Sequence, residues 1–177
     1  MMYETVMALR RVGLFQGLEP LQITEIMRRC ERVAFSAGQE IIAEGETGDA
    51  AFLILSGPAE RVSGPELADG PHPIRLGSLV GEMAMFVETE HSSTVVATGS
   101  VRTLKIARAA LHAQMGDDPA LAEHFVAAIV GRLNVAADAL RQAERALASD
   151  DDMPAGGYCL PAPALSASGE AGVSWQH

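Results

Sequence analysis

Apolar residues at both ends of the chain recur every three or four positions, which is the spacing of one helical face. Within residues 4–30 this spacing predicts short helices joined by the hydrophobic connector GLFQGL. From Ala107 the same spacing returns, first in a short helix and then, after Asp118 and Pro119, in a long one. Asp followed by Pro is typical of a helix N-cap and first turn, so the long helix is predicted to run from there to about Ala148. In the segment LEPLQITEIMRRC the predicted apolar face contains Leu21, Ile23, Ile26, Met27 and Cys30.

The middle of the chain has a different pattern, in which short apolar or alternating runs are separated by glycine. Examples are QEIIAEG, AAFLILSG, PIRLG and STVVAT. Short strands at this spacing are typical of an antiparallel sandwich or barrel. The predicted fold is therefore mainly β with flanking helices: an antiparallel β-roll of the jelly-roll type, with N-terminal helices and a long C-terminal helix. The predicted boundaries are 1–32 for the N-terminal helices, 33–106 for the roll, 107–148 for the C-terminal helices and 149–177 for a disordered tail.

Composition and charge exclude several classes of function. The formal net charge is −10, so the surface should repel both the nucleic-acid backbone and anionic lipid headgroups. Cys30 and Cys159 have no metal-binding or redox spacing, and the histidines form no metal motif. No apolar run is expected to approach the ~20 residues that span a bilayer. We therefore expect a cytoplasmic protein that is not an enzyme, holds no metal or cofactor, and contacts neither DNA nor a membrane.

The stretch GEMAMFVETEHSSTVVAT, residues 81–98, begins like a ligand-binding loop and ends like a buried strand. Gly81 permits a tight turn or a close backbone approach, and Glu82 places a carboxylate where the chain leaves a strand. The backbone N–H groups of a short helical turn at Met83 and Ala84 would form a nest for an anion. Because a carboxylate repels phosphate but binds sugar hydroxyls, the combination indicates a ligand that has hydroxyls and an anionic edge.

Several motifs in the same order resemble the cyclic nucleotide-binding domain family, in particular the effector domain of the catabolite activator protein. The segment IIAEGETGDAAFLILSG resembles the family's strand-turn-strand signature, and GEMAM…HSSTVVAT resembles its phosphate-binding cassette. The resemblance covers roughly residues 12–148. It implies that Glu82 bonds the ribose 2′-hydroxyl, and that the N–H groups of Met83 and Ala84 face the cyclic phosphate of cAMP or cGMP. It also implies that both glycines of the GETG segment are turn residues.

The cassette departs from the family pattern at one position. His91 stands ten residues after the first cassette glycine, where the family usually has an arginine that grips phosphate in a bidentate way. A largely neutral histidine would weaken binding by roughly 10- to 100-fold, because a contact of ~1.5–3 kcal/mol is lost. Glu88 and Glu90 either add negative charge where the phosphate should dock or favour the protonated histidine. Ser92 and Ser93 offer phosphate two hydroxyl donors.

A second departure lies on the long helix. In the catabolite-activator branch two adjacent hydroxyl residues there read the adenine, whereas here Ala136 and Ala137 occupy those positions and would offer a base only methyl groups. Two interpretations of the pocket stay open. It is either a weak or retuned cyclic-nucleotide site, favoured at lower pH, or a vestigial cassette that holds no ligand.

The long helix also carries an apolar seam whose steps alternate between three and four residues, as in the a/d positions of a coiled coil. Its positions are Val126, Ile129, Leu133, Ala136, Leu140, Ala143 and Leu147. We expect a symmetric homodimer through this seam, as the resemblance also implies. A tail rich in proline and glycine follows where the family's transcription factors carry a helix-turn-helix domain, so direct DNA binding is not expected. The predicted role is a stand-alone regulatory domain that signals to an unidentified protein partner; the alternative is a dimeric scaffold with a degenerate pocket.

Overall fold

The computed structural model describes residues 2–65 and 70–150. It contains four α-helices and two short 3₁₀ turns within these residues. The helices are α1 (Met2–Arg11), α2 (Pro20–Arg29), α3 (Arg108–Asp117) and α4 (Pro119–Asp150), and the 3₁₀ turns are Gly13–Phe15 and Glu82–Met85. The predicted disordered tail, with Cys159, Trp175 and His177, lies outside the described residues from position 151 onward.

The predicted N-cap of the long helix is confirmed. The Asp118 Oδ1 accepts hydrogen bonds from the backbone N–H groups of Ala120 at 3.1 Å and Leu121 at 3.3 Å. The Asp118 Oδ2 accepts a further bond of 2.8 Å from the Gln22 side chain of α2. This bond, together with the two backbone bonds, lowers the pKa of the Asp118 carboxyl. One ionised side chain therefore both begins α4 and ties it to the N-terminal helices.

The predicted apolar face of α2 is correct except at its first residue. Ile23 and Ile26 are buried, but Leu21 is 68% exposed. Leu21 precedes Ile23 by two positions, which is about 200° around a helix, and so it lies nearly opposite the buried face. Cys30 is half-buried at the end of α2, its thiol donates to the Ile26 carbonyl oxygen, and burial raises its pKa to about 12. This cysteine is therefore an unreactive packing residue, as expected.

Ten short strands form the roll within the residues that the structure describes. They are β1 (Glu31–Phe35), β2 (Glu40–Ile42), β3 (Thr47–Gly48), β4 (Ala50–Ser56), β5 (Ala59–Arg61), β6 (His72–Ile74), β7 (Leu79–Val80), β8 (Thr89–Glu90), β9 (Val95–Ala97) and β10 (Val101–Ala107). One sheet has the order β1-β10-β4-β7, the second has the order β2-β9-β5-β6, and β3 pairs with β8. All these pairings are antiparallel, so the predicted mainly-β roll with flanking helices and a long C-terminal helix is confirmed.

Two apolar clusters hold the roll and its helices together. The first lies between the β1-β10-β4-β7 sheet and the helices, and the second lies inside the roll between the two sheets. Phe125 of α4 is buried in the first cluster, where its ring meets Phe15 edge-on at 5.5 Å and Phe86 at 5.2 Å. Phe86 closes the cassette turn, so the start of α4 packs directly against the cassette. Aromatic pairs of this geometry contribute ~0.5–1.5 kcal/mol beyond the apolar area that they bury.

Farther along α4 the apolar seam is exposed. Residues up to Asn134 belong to one compact unit with the roll, and the helix from Val135 onward is a second unit. Ile129 is half-buried against the first apolar cluster, so this seam position packs within its own subunit. Leu133 is 64% exposed, and the other exposed seam side chains are Val126, Ala136, Leu140, Ala143 and Leu147.

The expectation that no apolar run approaches a membrane-spanning length is wrong. The helical segment Pro119–Leu147 is long and apolar enough to cross a membrane, with a mean hydropathy of 1.3 over its most apolar window. The reason is that valine, leucine, isoleucine, phenylalanine and alanine together outweigh the few charged residues in this stretch. The criterion concerns length and composition alone, and the same helix buries Leu121 and Phe125 in the core of the roll unit.

Candidate functional site

A cavity of about 530 Å³ opens inside the roll beside the cassette. Its lining combines a polar group of side chains with an apolar wall. The polar group consists of Arg61, Glu82, His91, Ser92, Ser93 and Arg132, and the remaining lining residues are Ile42, Pro65, Leu79, Val80, Gly81, Met83 and Val95. The structure therefore brings together most of the predicted ligand-binding residues, and adds two arginines that the sequence analysis missed.

The first half of the cassette is a rigid turn. Gly81 has φ 68° and ψ 29°, a left-handed conformation that costs an L-residue with a Cβ atom. The 3₁₀ turn that follows is anchored by Ala84 and Met85, which are both fully buried. The Met83 side chain lies on the other side of the turn, where it is exposed and lines the cavity.

The two backbone N–H groups assigned to the phosphate differ in this conformation. The Ala84 N–H donates to the Gly81 carbonyl oxygen at 3.0 Å, which closes the turn. The Met83 N–H forms no hydrogen bond with any residue that the structure describes. Of the two, the Met83 N–H is therefore the free donor, and an anion would have to compete with the Gly81 carbonyl for the Ala84 N–H.

Glu82 lies at the cavity wall and is held by a cation from α4. The Arg132 guanidinium donates to the Glu82 Oε1 at 2.7 Å, across 50 positions of sequence. The Glu82 Oε2 has no partner among the described residues, so this carboxylate oxygen is available to accept another hydrogen bond. Arg132 opens the segment RLNVAADAL, so its place in that motif could have identified it as a site residue.

His91 is packed between two glycines at the floor of the cassette. A Cβ atom added to Gly48 would lie 2.6 Å from the His91 ring and 2.6 Å from the Ala84 Cβ, and one added to Gly81 would lie 2.9 Å from the ring. Gly48, the second glycine of the GETG segment, is therefore a close-contact residue within β3 and not the turn glycine that was expected. Backbone bonds of 2.9 Å join the His91 N–H to Glu46 and the His91 carbonyl to Gly45.

The expected neutral state of His91 agrees with the structure, but the pKa of the ring is shifted in the direction opposite to the one expected from Glu88 and Glu90. Burial lowers the pKa of the imidazole, while the negative charges of Glu46 and Asp49 oppose this shift only in part. Glu88 and Glu90 were expected to favour the protonated ring, but they are not among the groups that influence it. Because a buried cation loses its hydration, the ring is neutral at pH 7. It offers the cavity one N–H donor and no fixed charge.

Ser92 and Ser93 line the cavity, as predicted, on the segment that leads into β9. Ser92 is exposed and Ser93 is largely buried. Neither residue forms a hydrogen bond with another described residue, so both hydroxyls and both N–H groups are available to a ligand. The segment is held in place by β5 and its following turn, because the Val62 N–H donates to the Thr94 carbonyl at 2.9 Å.

Arg61 enters the cavity from β5. It pairs with Val95 of β9, and the two side chains of a directly opposed antiparallel pair point to the same side of the sheet. A two-residue alternation in AERVSG, with Ala59 buried, places Arg61 on the inward face. That alternation is the signal in the sequence that could have identified this residue.

The remaining predicted positions lie outside this cavity's lining. Ala136 and Ala137 are exposed on the second unit of α4, and their contact with a base stays a prediction. The His112 Nε2 bonds the Phe86 carbonyl at 2.7 Å and the His124 Nε2 bonds the Leu14 carbonyl at 3.0 Å, so both rings secure the backbone. In the part of the chain that the structure describes, no three His, Cys, Asp or Glu side chains cluster in a way that could hold a metal ion.

Comparison with known proteins matches one family to the segment that contains most of the cavity's lining. The family model of the cyclic nucleotide-binding domain matches residues 32–118. The CRP-like cAMP-activated global transcriptional regulator of Mycobacterium tuberculosis is 30% identical over 129 residues, which are 71% of this chain and 57% of the regulator. The cAMP-dependent protein kinase regulatory subunit of Blastocladiella emersonii is 29% identical over 117 residues, or 65% of this chain and 28% of that subunit.

A solved structure supports the same assignment. The catabolite activator protein of Thermus thermophilus superposes with a TM-score of 0.58 and 26% sequence identity, covering 75% of this chain and 63% of that one. The chain thus spans a little over half of the mycobacterial regulator and about a quarter of the kinase subunit. Its matched segment contains the roll, the cassette and α3, and this chain belongs to the cyclic nucleotide-binding domain family.

Proposed function

We propose that the chain binds a cyclic nucleotide in the roll cavity and acts as a regulatory module, not as an enzyme. The observation that carries this proposal is the position of Glu82, whose carboxylate follows the left-handed Gly81 and lines a 530 Å³ cavity with Ser92 and Ser93. A carboxylate and a set of free hydroxyl and N–H donors match the ribose and the cyclic phosphate of one ligand. The relatives include cAMP-activated and cAMP-dependent regulators, which agrees with this class of ligand.

Each moiety of the ligand has a proposed partner. The Glu82 Oε2 accepts a hydrogen bond from the ribose 2′-hydroxyl, while the Met83 N–H and the Ser92 and Ser93 hydroxyls donate to the phosphate. His91 adds one neutral N–H donor in place of a fixed cation. This site binds phosphate through neutral donors, each worth ~0.5–1.5 kcal/mol, and its affinity is accordingly modest.

The Arg132–Glu82 ion pair is the proposed link through which ligand binding in the cavity affects α4. Glu82 belongs to the cassette and Arg132 to the helix, so a ligand that engages Glu82 changes the only ion pair that the described residues form between these two elements. The pair is partly exposed and contributes about 0–1 kcal/mol, which makes it easy to rearrange on binding. We propose that this rearrangement reports ligand binding to the partner that α4 contacts.

Calorimetric titration with cAMP and cGMP tests ligand binding directly. Wild type and His91→Arg should be titrated at pH 7.5 and pH 6. Wild type should bind at least one nucleotide weakly, and the arginine variant should bind roughly 10-fold or more tightly because it adds a charge-assisted contact. If neither protein binds either nucleotide, the proposed ligand class is wrong. If only the variant binds, the natural cavity does not serve these nucleotides and the scaffold alternative is favoured.

A second candidate function is self-association through α4, favoured by the exposed seam. Leu133 and Leu140 are seven positions apart and both are exposed, which is the spacing of one coiled-coil layer to the next equivalent one. We propose a homodimer in which this seam is buried. In the nucleotide sensor this dimer would transmit ligand binding. If the cavity holds no ligand, the dimer itself would be the functional unit, as an interaction protein.

Sedimentation equilibrium tests the dimer. Wild type should sediment as a dimer, and Leu140→Glu should shift the equilibrium to monomer because the substitution places a charge in an apolar layer. Gln142→Glu, on the same helix but outside the seam, changes the net charge equally and should remain dimeric. A monomeric wild type, or identical behaviour of all three proteins, would contradict the seam as an interface.

A further inference from the structure

Arg61 is a charged residue at an inward-facing strand position. Its strand partner Val95 is completely buried, and Ala59, two residues earlier on the same face of β5, is also buried. The Arg61 side chain therefore rises from the β2-β9-β5-β6 sheet into the roll, where it lines the same cavity as Glu82. A guanidinium at such a position carries several N–H donors that a ligand with acceptors can engage.

The lining of the cavity separates by chemistry into two parts. One part is polar and consists of the cassette side chains that suit a sugar and a phosphate. The other part is apolar and suits the flat faces of a heterocyclic base; it consists of Ile42, Pro65, Leu79, Val80 and Val95. Arg61 lies among these apolar residues through its pairing with Val95, so its guanidinium is the polar group that a base would meet.

The hydrogen-bonding groups of a guanidinium complement those of guanine better than those of adenine. It carries five N–H donors in a fixed plane and no acceptor. Guanine presents two adjacent acceptors, O6 and N7, to which an arginine can bond in a bidentate way. Adenine presents N7 beside an N6 amino group, which is a donor and repels a second donor. An arginine at the base therefore selects an oxo-purine over an amino-purine.

From this juxtaposition we propose that Arg61 reads the base, and that the cavity prefers cyclic nucleotides of 6-oxopurines such as cGMP over cAMP. This inference rests on the proposed function, because it assigns the base specificity of the same site. It also gives the site a hydrogen-bonding residue for the base, which the methyl groups of Ala136 and Ala137 would not provide. The expected preference is roughly 10- to 100-fold, the range that a bidentate arginine–guanine contact gives.

The experiment is a calorimetric titration of three nucleotides against four proteins. The ligands are cGMP, cAMP and cyclic IMP, which has the O6 and N7 of guanine but not its 2-amino group. The proteins are wild type, Arg61→Lys, Arg61→Gln and Arg75→Gln. Arg75 is exposed and does not line the cavity, so its variant controls for the loss of one positive charge. Thermal unfolding of each protein verifies that the fold is retained.

Wild type should bind cGMP and cyclic IMP with similar affinity, and both more tightly than cAMP. Arg61→Gln should lose most of the preference by weakening the two oxo-purines. Arg61→Lys should lose much of it too, because an ammonium keeps the charge but not the planar fork. Arg75→Gln should behave like wild type in all three titrations.

Two kinds of result would contradict the assignment of Arg61 to the base. If the Arg61 variants lose all three nucleotides by the same factor, the guanidinium contacts the phosphate or shapes the cavity, and it does not read the base. If wild type prefers cAMP, or if the variants match wild type, Arg61 has no role in base selection. Both outcomes leave nucleotide binding intact, whereas a wild type that binds none of the three nucleotides contradicts the proposed function itself.

Discussion

The two ends of the cassette differ in what determines their properties: backbone conformation at one end and side-chain identity at the other. At Gly81–Met85 the backbone decides the structure: a left-handed glycine, a 3₁₀ turn and two fully buried side chains fix where Glu82 lies. At His91–Ser93 the backbone hydrogen bonds among the described residues involve His91 alone, and the capacity to bind an anion depends on which side chain occupies each position. The first end forms the turn that the sequence predicted, and at the second end a neutral ring stands where the resemblance to the family implies a permanent cation.

This difference shows that the shape of a site and its grip on a ligand can change independently. The His91 ring fits between Gly48 and Gly81 and preserves the packing of the cassette without supplying charge. The cavity therefore stays open although this position supplies no fixed positive charge. Shape alone does not decide between a retuned sensor and a vestigial pocket, and substitutions that affect only one end of the cassette can separate the two.

The first such substitution is Glu82→Gln at the rigid end. It should weaken binding of the preferred cyclic nucleotide by roughly 10- to 100-fold, because it removes an ionised acceptor whose bond to the ribose hydroxyl contributes ~1.5–3 kcal/mol. Calorimetric titration measures the change. Glu88→Gln is the matched control, since Glu88 is exposed in the same loop, does not line the cavity and should leave the affinity unchanged. Equal affinities for wild type and Glu82→Gln would mean that Glu82 only pairs with Arg132.

Gly48→Ala tests the contact that joins the two ends. Its Cβ would lie 2.6 Å from both the Ala84 Cβ and the His91 ring, so the cassette and the ring must move apart. Overpacking of this kind should lower the free energy of unfolding by ~1–3 kcal/mol, as measured by chemical denaturation. Gly116→Ala is the control: nothing lies within 4 Å of its added Cβ and the residue is helical, so the control should keep or increase stability. A Gly48→Ala protein as stable as wild type would show that the His91 ring is not confined there.

The pH dependence of stability tests the neutral ring and has the smallest effect. The pKa of His91 is lower in the folded protein than its ordinary value of 6.5, so the unfolded chain binds the proton more readily. The free energy of unfolding should therefore fall as the pH drops below about 6.5, and should be insensitive to His91 above that value. Comparison of denaturation curves for wild type and His91→Gln between pH 8 and pH 5 isolates this contribution. A wild type that is stabilised relative to the variant at low pH would show that the ring is protonated in the fold.

Much of the fold could be predicted because its signals are local. The alternation of strand residues, the glycines between strands and the Asp118–Pro119 helix start each depend on neighbouring positions, and the structure bears them out. The wrong predictions arose where the same local pattern is compatible with two different structural roles. Leu21 fits an apolar list but lies on the wrong side of the helix, and Gly48 stands in turn-like sequence but is required for a close contact in β3.

The candidate site was predictable only in part for the same reason. Gly81, Glu82, His91, Ser92 and Ser93 follow one another in a short stretch, so the motif identified them. The direction in which the pKa of the ring is shifted was not predictable, because it depends on burial and on Glu46 and Asp49, which come from a different strand-turn segment. Neighbours in sequence, Glu88 and Glu90, suggested the opposite sign.

The sequence by itself determined the family, the roll, the cassette and the apolar seam of α4, since each is written in the spacing of nearby residues. The tertiary structure alone decided that Arg132 holds Glu82 across 50 positions and that Arg61 shares their cavity. The physical reason is that a charged side chain acquires its role from what surrounds it in space. The residues that surround these two arginines are brought to them by the folding of the two sheets and by the packing of the first turns of α4.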